Sequence, residues 1–362
     1  MIGTSNMIKL SKGNLLTAPA EALVNTVNTE GVMGKGIALQ FKQAFPNMFK
    51  SYQEACKNDI VQLGRVHVFD LGGLVGGPRW IINFPTKGHW KSKSRLENIR
   101  SGLVDLVSKV SELHIRSIAI PPLGCGLGGL KWEEVRPEII QAFSSLPDVE
   151  VLLYPPSGAP AAKEMPNATE RPKMTDGRAA LILLMDRYLK GLLDPFVSLL
   201  EVHKLMYFLQ EGGKPLRLQF EPKQYGPYAK NLRQVLIKID GHFIQGYGDG
   251  QDDPTKPLEL KAGAVEEAEK FLLGDVETMR HMEKVAELID GFEDPYGMEL
   301  LSTVHWVMSN TPGAKDDSEV AIGAVHQWSE RKKSYLKPTH LARAWHRLKK
   351  MNWDSASGSS IC

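Results

Sequence analysis

The sequence predicts an α/β domain, with a mixed sheet flanked by helices on both faces, followed by a mostly α-helical second domain. Its 362 residues exceed the usual size of one domain. Short apolar runs alternate with helical patterns up to residue 154, and helical patterns dominate after residue 172. The stretch between them holds five prolines and no hydrophobic period, which indicates a linker. We therefore expect domains at 1–155 and 173–352, a linker at 156–172, and a disordered polar tail at 353–362.

The elements of the first domain follow from short apolar runs and one long helical period. Six runs are strand candidates: Ile8–Leu10, Ala22–Asn25, Val66–Phe69, Trp80–Asn83, Ser117–Pro121 and Val149–Tyr154. The clearest helix runs from Ser94 to Leu113, because its apolar residues recur every three to four positions. Ser94 is the expected N-cap of this helix.

The second domain is predicted from eight helical patterns and one weak strand signal. The helices are expected at Ala179–Lys190, Leu199–Glu211, Lys230–Ile239, Ala264–Leu273, Val276–Ile289, Met298–Met308, Val320–Ser329 and Leu341–Met351. A hairpin is expected around Leu216–Phe220, and Tyr225-Gly226-Pro227-Tyr228 is expected to form a turn with packed rings.

Composition limits the classes of function. The net charge of +2 argues against binding nucleic acid over the whole surface. The three cysteines have no metal-ligand spacing and cannot form a disulfide framework, which fits a reducing compartment. No apolar run approaches the ~18 residues of a membrane span, and no leader pattern is apparent. These features predict a cytoplasmic protein with no membrane partner, no metal and no cofactor.

Two glycine-rich segments follow strand candidates and lead into helices. The first contains Asn25 and Asn28 and continues through Gly31–Ala38; the second runs from Pro121 to Leu130. Glycines at such a junction let backbone N–H groups approach an anion, and a helix N-terminus favours negative charge. Two such loops on neighbouring strands favour a diphosphate between them, whereas one alone would be read as a tight turn.

The runs Asn25–Phe41 and Pro121–Trp132 closely resemble macrodomains, over roughly the first 155 residues. The resemblance implies that both loops wrap the diphosphate of ADP-ribose and that Asn28 faces the distal ribose. Asn14 stands where the family usually has the Asp that reads adenine, and an Asn oxygen can still accept that hydrogen bond. Gly128 stands where lysine-using eukaryotic relatives have Asp, so no carboxylic acid is expected there. The implied ADP-ribose-binding residues are Asn14, Leu15, Asn25, Asn28, Val32, Met33, Gly34, Lys35, Gly36, Ile37, Thr86, Leu123, Gly124, Cys125, Gly126, Leu127, Gly128 and Gly129.

Lys87 is the catalytic candidate. It lies in Asn83-Phe84-Pro85-Thr86-Lys87, which closely resembles the DarG antitoxin family of DNA ADP-ribosyl glycohydrolases. The resemblance implies that Lys87 is essential and that the substrate is ADP-ribose attached to thymine in single-stranded DNA by a DarT-like toxin. A lysine must lose its proton to attack the anomeric carbon, through burial or nearby cations such as Lys91, Lys93 and Arg95. Alternatively, charged Lys87 orients the substrate while water attacks.

The loop after Lys87 is a candidate DNA contact. Trp90 is placed to stack on a base while Lys91 and Lys93 contact phosphates, and His89 is a weaker candidate for a general acid. The alternative is that Trp90 caps the core and the charges are merely solvated. Cys125, lying between glycines, is expected to be a small loop residue rather than a nucleophile.

The second domain resembles the Panacea domain of antitoxins, through His203-Lys204-Leu205-Met206-Tyr207-Phe208 and Tyr225-Gly226-Pro227-Tyr228. Gly246–Gly250 and Pro295–Glu299 look like the carboxyl half of the DarG family. The resemblance implies direct toxin binding, and the charge balance of +4 for residues 1–160 and −2 for the remainder is compatible with it. Two other functions remain open: a protein de-ADP-ribosylase and a non-catalytic ADP-ribose reader.

Overall fold

The structure, a computed structural model, describes residues 7–73, 77–191 and 196–354. The chain divides into two compact units, Met1–Glu170 with Gly248–Gln251, and Arg171–Tyr247 with Asp252–Cys362. The boundary after Glu170 falls within the expected linker at 156–172, most of which is part of the first unit. The tail expected at 353–362 is wrong at its first residue, because Trp353 is buried in the core of the second unit; from position 355 onward it lies outside the described residues.

The first unit is built on a six-stranded sheet with the strand order β1-β6-β5-β2-β4-β3. All neighbouring pairs are parallel except β3 and β4, so the sheet is mixed. The strands are β1 (Ile8–Leu10), β2 (Ala22–Asn28), β3 (His67–Asp70), β4 (Trp80–Lys87), β5 (Ser117–Ile120) and β6 (Glu150–Leu153). The helices are α1 (Gly36–Ala44), α2 (Pro46–Lys57), α3 (Leu96–Glu112) and α4 (Trp132–Phe143).

Both faces of this sheet are covered, as the sequence predicts. Alternate residues of β2 enter two different cores: Leu23 packs with α1 and α2, and Val24 packs with α3 and α4. A central strand with two buried faces reads as a continuous apolar run, which is the pattern of Ala22–Val24. The sheet brings the carboxyl ends of β2, β4 and β5 next to one another, where ligands of open α/β sheets bind.

Two local expectations for the first unit need correction. Strands β2 and β4 continue three or four residues past the predicted ends, so that Asn28 and Lys87 are paired at their termini. Ser94 is not the N-cap of α3; Arg95 occupies that position, without a side-chain cap bond. Ser94 is instead buried, because its backbone N–H donates to the carbonyl oxygen of Gly128, 2.9 Å away.

The second unit is mostly helical. Its helices are α5 (Asp176–Gly191), α6 (Leu199–Glu211), α7 (Leu232–Ile239), α8 (Ala264–Phe271), α9 (Val276–Ile289), α10 (Pro295–Asn310), α11 (Ser318–Trp328), α12 (Glu330–Tyr335) and α13 (Pro338–Lys350). Its short strands are β7 (Val197–Ser198), β8 (Phe220–Lys223), β9 (Gly226–Ala229), β10 (Ile244–Gln245) and β11 (Pro257–Leu260). Helix α6 begins with a capping box, in which Ser198 and Glu201 bond each other's backbone N–H.

The predicted hairpin was placed too early in the chain. It is formed by β8 and β9, so Gly226-Pro227-Tyr228 is strand rather than turn, and only Gln224 and Tyr225 form the connection. Each of these strands contains a proline, and proline normally disfavours a strand because it has no N–H to donate. Both strands of a two-stranded ribbon are edge strands, where proline is tolerated. In the described parts of the chain, no helix combines the length and apolar character needed to cross a bilayer.

Candidate active site

The first glycine loop is shaped by Asn28 at the end of β2. The Asn28 side chain donates to the carbonyl of Val32 (2.6 Å) and accepts from the N–H groups of Glu30 (2.9 Å) and Val32 (3.3 Å). The Tyr52 hydroxyl donates to the Asn28 carbonyl at 2.6 Å. Asn28 therefore holds the loop in shape. Tyr52 supports it from α2, where no sequence motif marks it.

Asn25 and Thr86 lie beneath the loops, in the core. The Asn25 side chain is fully buried and donates to the side-chain oxygen of Asn83 at 2.9 Å. Thr86 is also buried, and its hydroxyl is 3.4 Å from the carbonyl of Val27. Leu15, Met33 and Leu123 are buried too. These candidates support the floor of the site, while Val32 and Leu127 are exposed at its rim.

Helix α1 begins at Gly36, the third glycine of the first loop. Gly36 has a φ of +61°, a left-handed conformation that favours glycine. The N-cap residue Lys35 makes no side-chain cap bond, and the N–H of Gly36 donates to the carbonyl of Asp249, which belongs to the same compact unit, at 2.8 Å. A Cβ atom placed on Gly36 would lie 4.0 Å from the Leu127 side chain, so the two glycine loops face each other.

The second loop needs its glycines for different reasons. Gly124 (φ +71°) and Gly129 (φ +79°) adopt left-handed conformations. Gly128 does not, but a Cβ there would lie less than 3.0 Å from the Ser94 hydroxyl oxygen and from the Gly124 carbonyl. A Cβ on Gly126 would meet no heavy atom within 4 Å. Of the four glycines, Gly126 and Gly129 thus border open space, while Gly128 is required by packing.

Lys87 joins the two loops. As the last residue of β4 it pairs with Asn28, just after a register shift at which β4 has one residue more than β2, and its ammonium nitrogen is 3.4 Å from the carbonyl oxygen of Leu127. Burial lowers the pKa of Lys87 below its ordinary value. The expected contribution of Lys91, Lys93 and Arg95 to this shift is not found, because desolvation is its cause.

Cys125 is not an activated nucleophile. Burial, assisted by Glu133 and Glu134, raises the pKa of its thiol to about 11. The thiol is therefore protonated at neutral pH, and it lies 3.6 Å from the carbonyl of Leu123. This arrangement agrees with the expectation that Cys125 is a small residue within the loop.

Asn14 caps the short 3-10 turn Leu15–Thr17. Its side-chain oxygen accepts from the N–H of Leu16 at 3.0 Å, and its side-chain nitrogen donates to the carbonyl of Glu164 at 2.7 Å. The segment that contains Glu164 was assigned to the linker from sequence. Its contact with Asn14 places it beside the residue expected to read adenine.

The basic loop after Lys87 is exposed. Trp90 is 42% exposed, so it does not cap the core. The His89 ring stacks on Trp90 with centroids 5.5 Å apart, and the Lys91 ammonium lies 4.9 Å from the Trp90 ring. Lys93 is exposed as well. An aromatic face flanked by cations is the surface that single-stranded nucleic acids bind.

Motif residues of the second unit meet in a buried polar network. His203 stacks on Tyr228 with centroids 4.4 Å apart, and the fully buried Lys204 donates to the carbonyl of Pro227 at 2.6 Å. Burial lowers the pKa of Lys204 to about 7. Glu299 accepts from both Arg331 and the buried Lys332. Among the residues the structure describes, no group of three His, Cys, Asp or Glu side chains is placed to hold a metal ion.

Known proteins match this chain in sequence and in fold. The Macro domain family matches residues 24–139, so the first unit is a macrodomain. A DNA ADP-ribosyl glycohydrolase of Thermus aquaticus is 46% identical over 344 residues, which cover 95% of this chain and 93% of that protein. The chain belongs to the family of DarG-type DNA ADP-ribosyl glycohydrolases.

Two further matches cover the first unit or part of the chain. The structure titled macrodomain of Mycobacterium tuberculosis DarG is 54% identical and covers 42% of this chain and all of that one, with a TM-score of 0.41. A DNA ADP-ribosyl transferase-DNA ADP-ribosyl glycohydrolase fusion protein of Thermosipho africanus is 32% identical over 46% of this chain and 45% of its own length.

Proposed function

We propose that this chain hydrolyses the N-glycosidic bond between ADP-ribose and a thymine base of single-stranded DNA, and so reverses the action of a DarT-like toxin. The observation that carries the proposal is the position of Lys87. Its half-buried amine lies between two facing glycine loops, in a chain that belongs to a family of DNA ADP-ribosyl glycohydrolases.

The loops bind the ADP-ribose part of the substrate. The first turn of α1 and the open side of Gly126 supply backbone N–H groups and space for the diphosphate. The distal ribose then lies near Lys87, since this residue touches both loops. The exposed Trp90, with Lys91 and Lys93, stacks on a neighbouring base and neutralises DNA phosphates.

Lys87 acts as the nucleophile in this proposal. Its neutral amine attacks the anomeric carbon of the distal ribose, and the bond from that carbon to the base nitrogen breaks. The electron pair of that bond goes to the base, which takes up a proton. The ribose ring opens to a Schiff base with Lys87, and water hydrolyses this adduct to free ADP-ribose and the amine. The lowered pKa of Lys87 supports this route, since it increases the fraction of neutral amine.

Lys87→Ala tests the site. The variant should lose removal of ADP-ribose from single-stranded DNA while it still binds free ADP-ribose, because the loops carry binding. Lys50→Ala, which changes an exposed lysine of α2, is the matched control and should retain activity. An ADP-ribosylated protein substrate is assayed in parallel. If the wild type removes ADP-ribose from the protein substrate but not from the DNA, the chain is a protein de-ADP-ribosylase instead. If it binds ADP-ribose but hydrolyses neither substrate, it is a non-catalytic reader.

Reductive trapping separates the two roles of Lys87. Borohydride added during turnover should leave a stable ADP-ribosyl adduct on Lys87, located by peptide mass spectrometry. If no adduct forms while the reaction proceeds at full rate, the charged lysine orients the substrate and water is the nucleophile.

The second unit binds the toxin directly in this proposal. Support comes from the Panacea-like motifs, two of which meet in the bond from the buried Lys204 to the Pro227 carbonyl, and from the relative in which transferase and glycohydrolase are fused. Full-length Lys87→Ala protein should therefore still block DNA modification by the cognate toxin, at a one-to-one dose instead of a catalytic one. If toxin activity is unaffected by an excess of this variant, direct binding is refuted.

A further inference from the structure

Ser94 is a buried polar residue for which the proposed reaction has no use. It precedes the N-cap of α3 and is 6% exposed. In the described part of the chain its hydroxyl oxygen has no hydrogen-bond partner. Buried hydroxyl groups are nearly always paired, because burial removes their bonds to water. This exception therefore needs a physical reason.

The Ser94 side chain is enclosed by the second glycine loop. Its backbone N–H donates to the carbonyl of Gly128 at 2.9 Å. A Cβ atom on Gly124 would lie 3.0 Å from the Cβ of Ser94, and the space beside Gly128 is bordered by the Ser94 hydroxyl and the Gly124 carbonyl oxygen. The hydroxyl is thus aimed at the turn of the loop, next to a carbonyl that can accept a hydrogen bond.

The same loop also contacts the catalytic candidate. The carbonyl of Leu127, adjacent to Gly128, accepts from Lys87 at 3.4 Å, and the Leu130 N–H donates to the Gly124 carbonyl at 3.0 Å, which closes the loop. The two ends of the segment from Lys87 to Ser94 therefore contact consecutive loop residues, Leu127 and Gly128. The two contacts are thus joined through a single peptide bond.

We propose that Ser94 is a positioning residue that couples closure of the second glycine loop over the diphosphate to the placement of Lys87. When the loop closes, the hydroxyl donates to the second lone pair of the Gly124 carbonyl. An unpaired buried hydroxyl costs free energy and the new bond removes that cost, so this bond favours the closed loop in the complex with ADP-ribose. This inference rests on the proposed ADP-ribose site.

Ser94→Ala tests the coupling in the full-length protein, because it removes the hydroxyl and keeps the backbone bond to Gly128. We expect the Kd for ADP-ribose to rise about fivefold, the factor that corresponds to one ordinary hydrogen bond. The rate constant kcat on ADP-ribosylated DNA should fall as well. The Tm without ligand should not decrease, since the lost hydroxyl makes no bond in that state. Ser101→Ala, which changes an exposed serine of α3 outside both loops, is the control and should match the wild type.

Three outcomes decide the inference. Unchanged affinity and kcat in Ser94→Ala would overturn it, and so would a Tm that falls in step with affinity, which indicates a purely structural role. A crystal structure with ADP-ribose should place the Ser94 hydroxyl about 2.5–3.0 Å from the Gly124 oxygen. If the wild-type protein fails to bind ADP-ribose, the proposed site itself is refuted. If the wild type binds ADP-ribose but Ser94→Ala leaves affinity and kcat unchanged, or lowers Tm in step with affinity, only this inference is refuted.

Discussion

Glu299→Leu should strongly destabilise the second unit, because it removes the counter-charge of a buried lysine. Glu299 accepts from Lys332 at 2.9 Å and from Arg331 at 2.6 and 3.0 Å, and the Lys332 side chain is 0% exposed. Without Glu299, the Lys332 ammonium keeps its hydrogen bond to the Thr303 hydroxyl at 3.0 Å and its position over the Trp328 ring, 5.0 Å from the centroid, but no described counter-charge. Arg331 is partly exposed, so its charge can be hydrated instead.

The expected loss follows from the cost of an uncompensated buried charge, about 3–5 kcal/mol. For a unit of this size, about 2–4 °C of Tm corresponds to each kcal/mol, which gives a decrease of about 6–20 °C. Differential scanning calorimetry of the full-length protein measures it at neutral pH.

The double variant Glu299→Leu with Lys332→Met is the matched control. It removes both charges and replaces them by apolar groups of similar volume, so it should recover much of the lost stability. A single variant that costs less than about 1 kcal/mol, or a double variant no more stable than the single one, would refute the reasoning.

The pH dependence of the same contact has a defined sign. Burial favours the neutral carboxyl group, but hydrogen bonds from Arg331 and the charge of Lys332 outweigh it, and the pKa of Glu299 is lowered. The stabilisation is therefore present above the carboxyl pKa of the unfolded chain and is lost as pH falls through the lowered folded value. The difference in Tm between wild type and Glu299→Leu should shrink in acid.

Two further predictions concern the binding loops and Lys87. Gly126→Glu should leave Tm unchanged, because a side chain there enters open space, but should weaken ADP-ribose binding tenfold or more by repelling the diphosphate, about 1–4 kcal/mol at contact distance. Gly126→Gln is the control, because glutamine has the size of glutamate without its charge. If calorimetry gives the Glu and Gln variants equal affinities for ADP-ribose, the diphosphate does not lie beside Gly126. If neutral Lys87 attacks, kcat should rise with pH and level off below the ordinary lysine pKa of about 10.4, since burial lowers the pKa; a kcat that falls over this range would assign the ammonium form to the reaction.

The parts of the site that can be predicted from the sequence are those in which local backbone conformation requires a particular residue type. Glycine is needed at Gly36, Gly124 and Gly129 because their backbones are left-handed, and this requirement is visible in any glycine-rich turn. The alternation of strands and helices predicts the layered first unit for a similar reason. The identity of Lys87 came from resemblance, because a lysine in a basic loop has no local property that marks it.

The remaining features depend on contacts between distant parts of the chain. Ser94 has the residue type of an N-cap, but its bond to Gly128 draws it under a loop more than thirty residues away in sequence. The lowered pKa of Lys87 has the same origin, since burial depends on the folded loops and not on neighbouring lysines. Pro222 and Pro227 lie opposite each other in β8 and β9, where local propensity opposes the strand structure that forms.

The first compact unit is discontinuous in sequence, and this affects how truncated proteins are compared with the full chain. Gly248–Gln251 belongs to the unit formed by Met1–Glu170, and the Asp249 carbonyl occupies the Gly36 N–H at the start of α1. A fragment that ends after Glu170 keeps every glycine of both loops but lacks this acceptor. We expect the Gly36 amide of this fragment to be solvated, so that ADP-ribose bound at the proposed site displaces water there, whereas in the intact chain it competes with the Asp249 carbonyl. Truncation is thus a change in the chemistry of the binding loop as well as in the length of the chain.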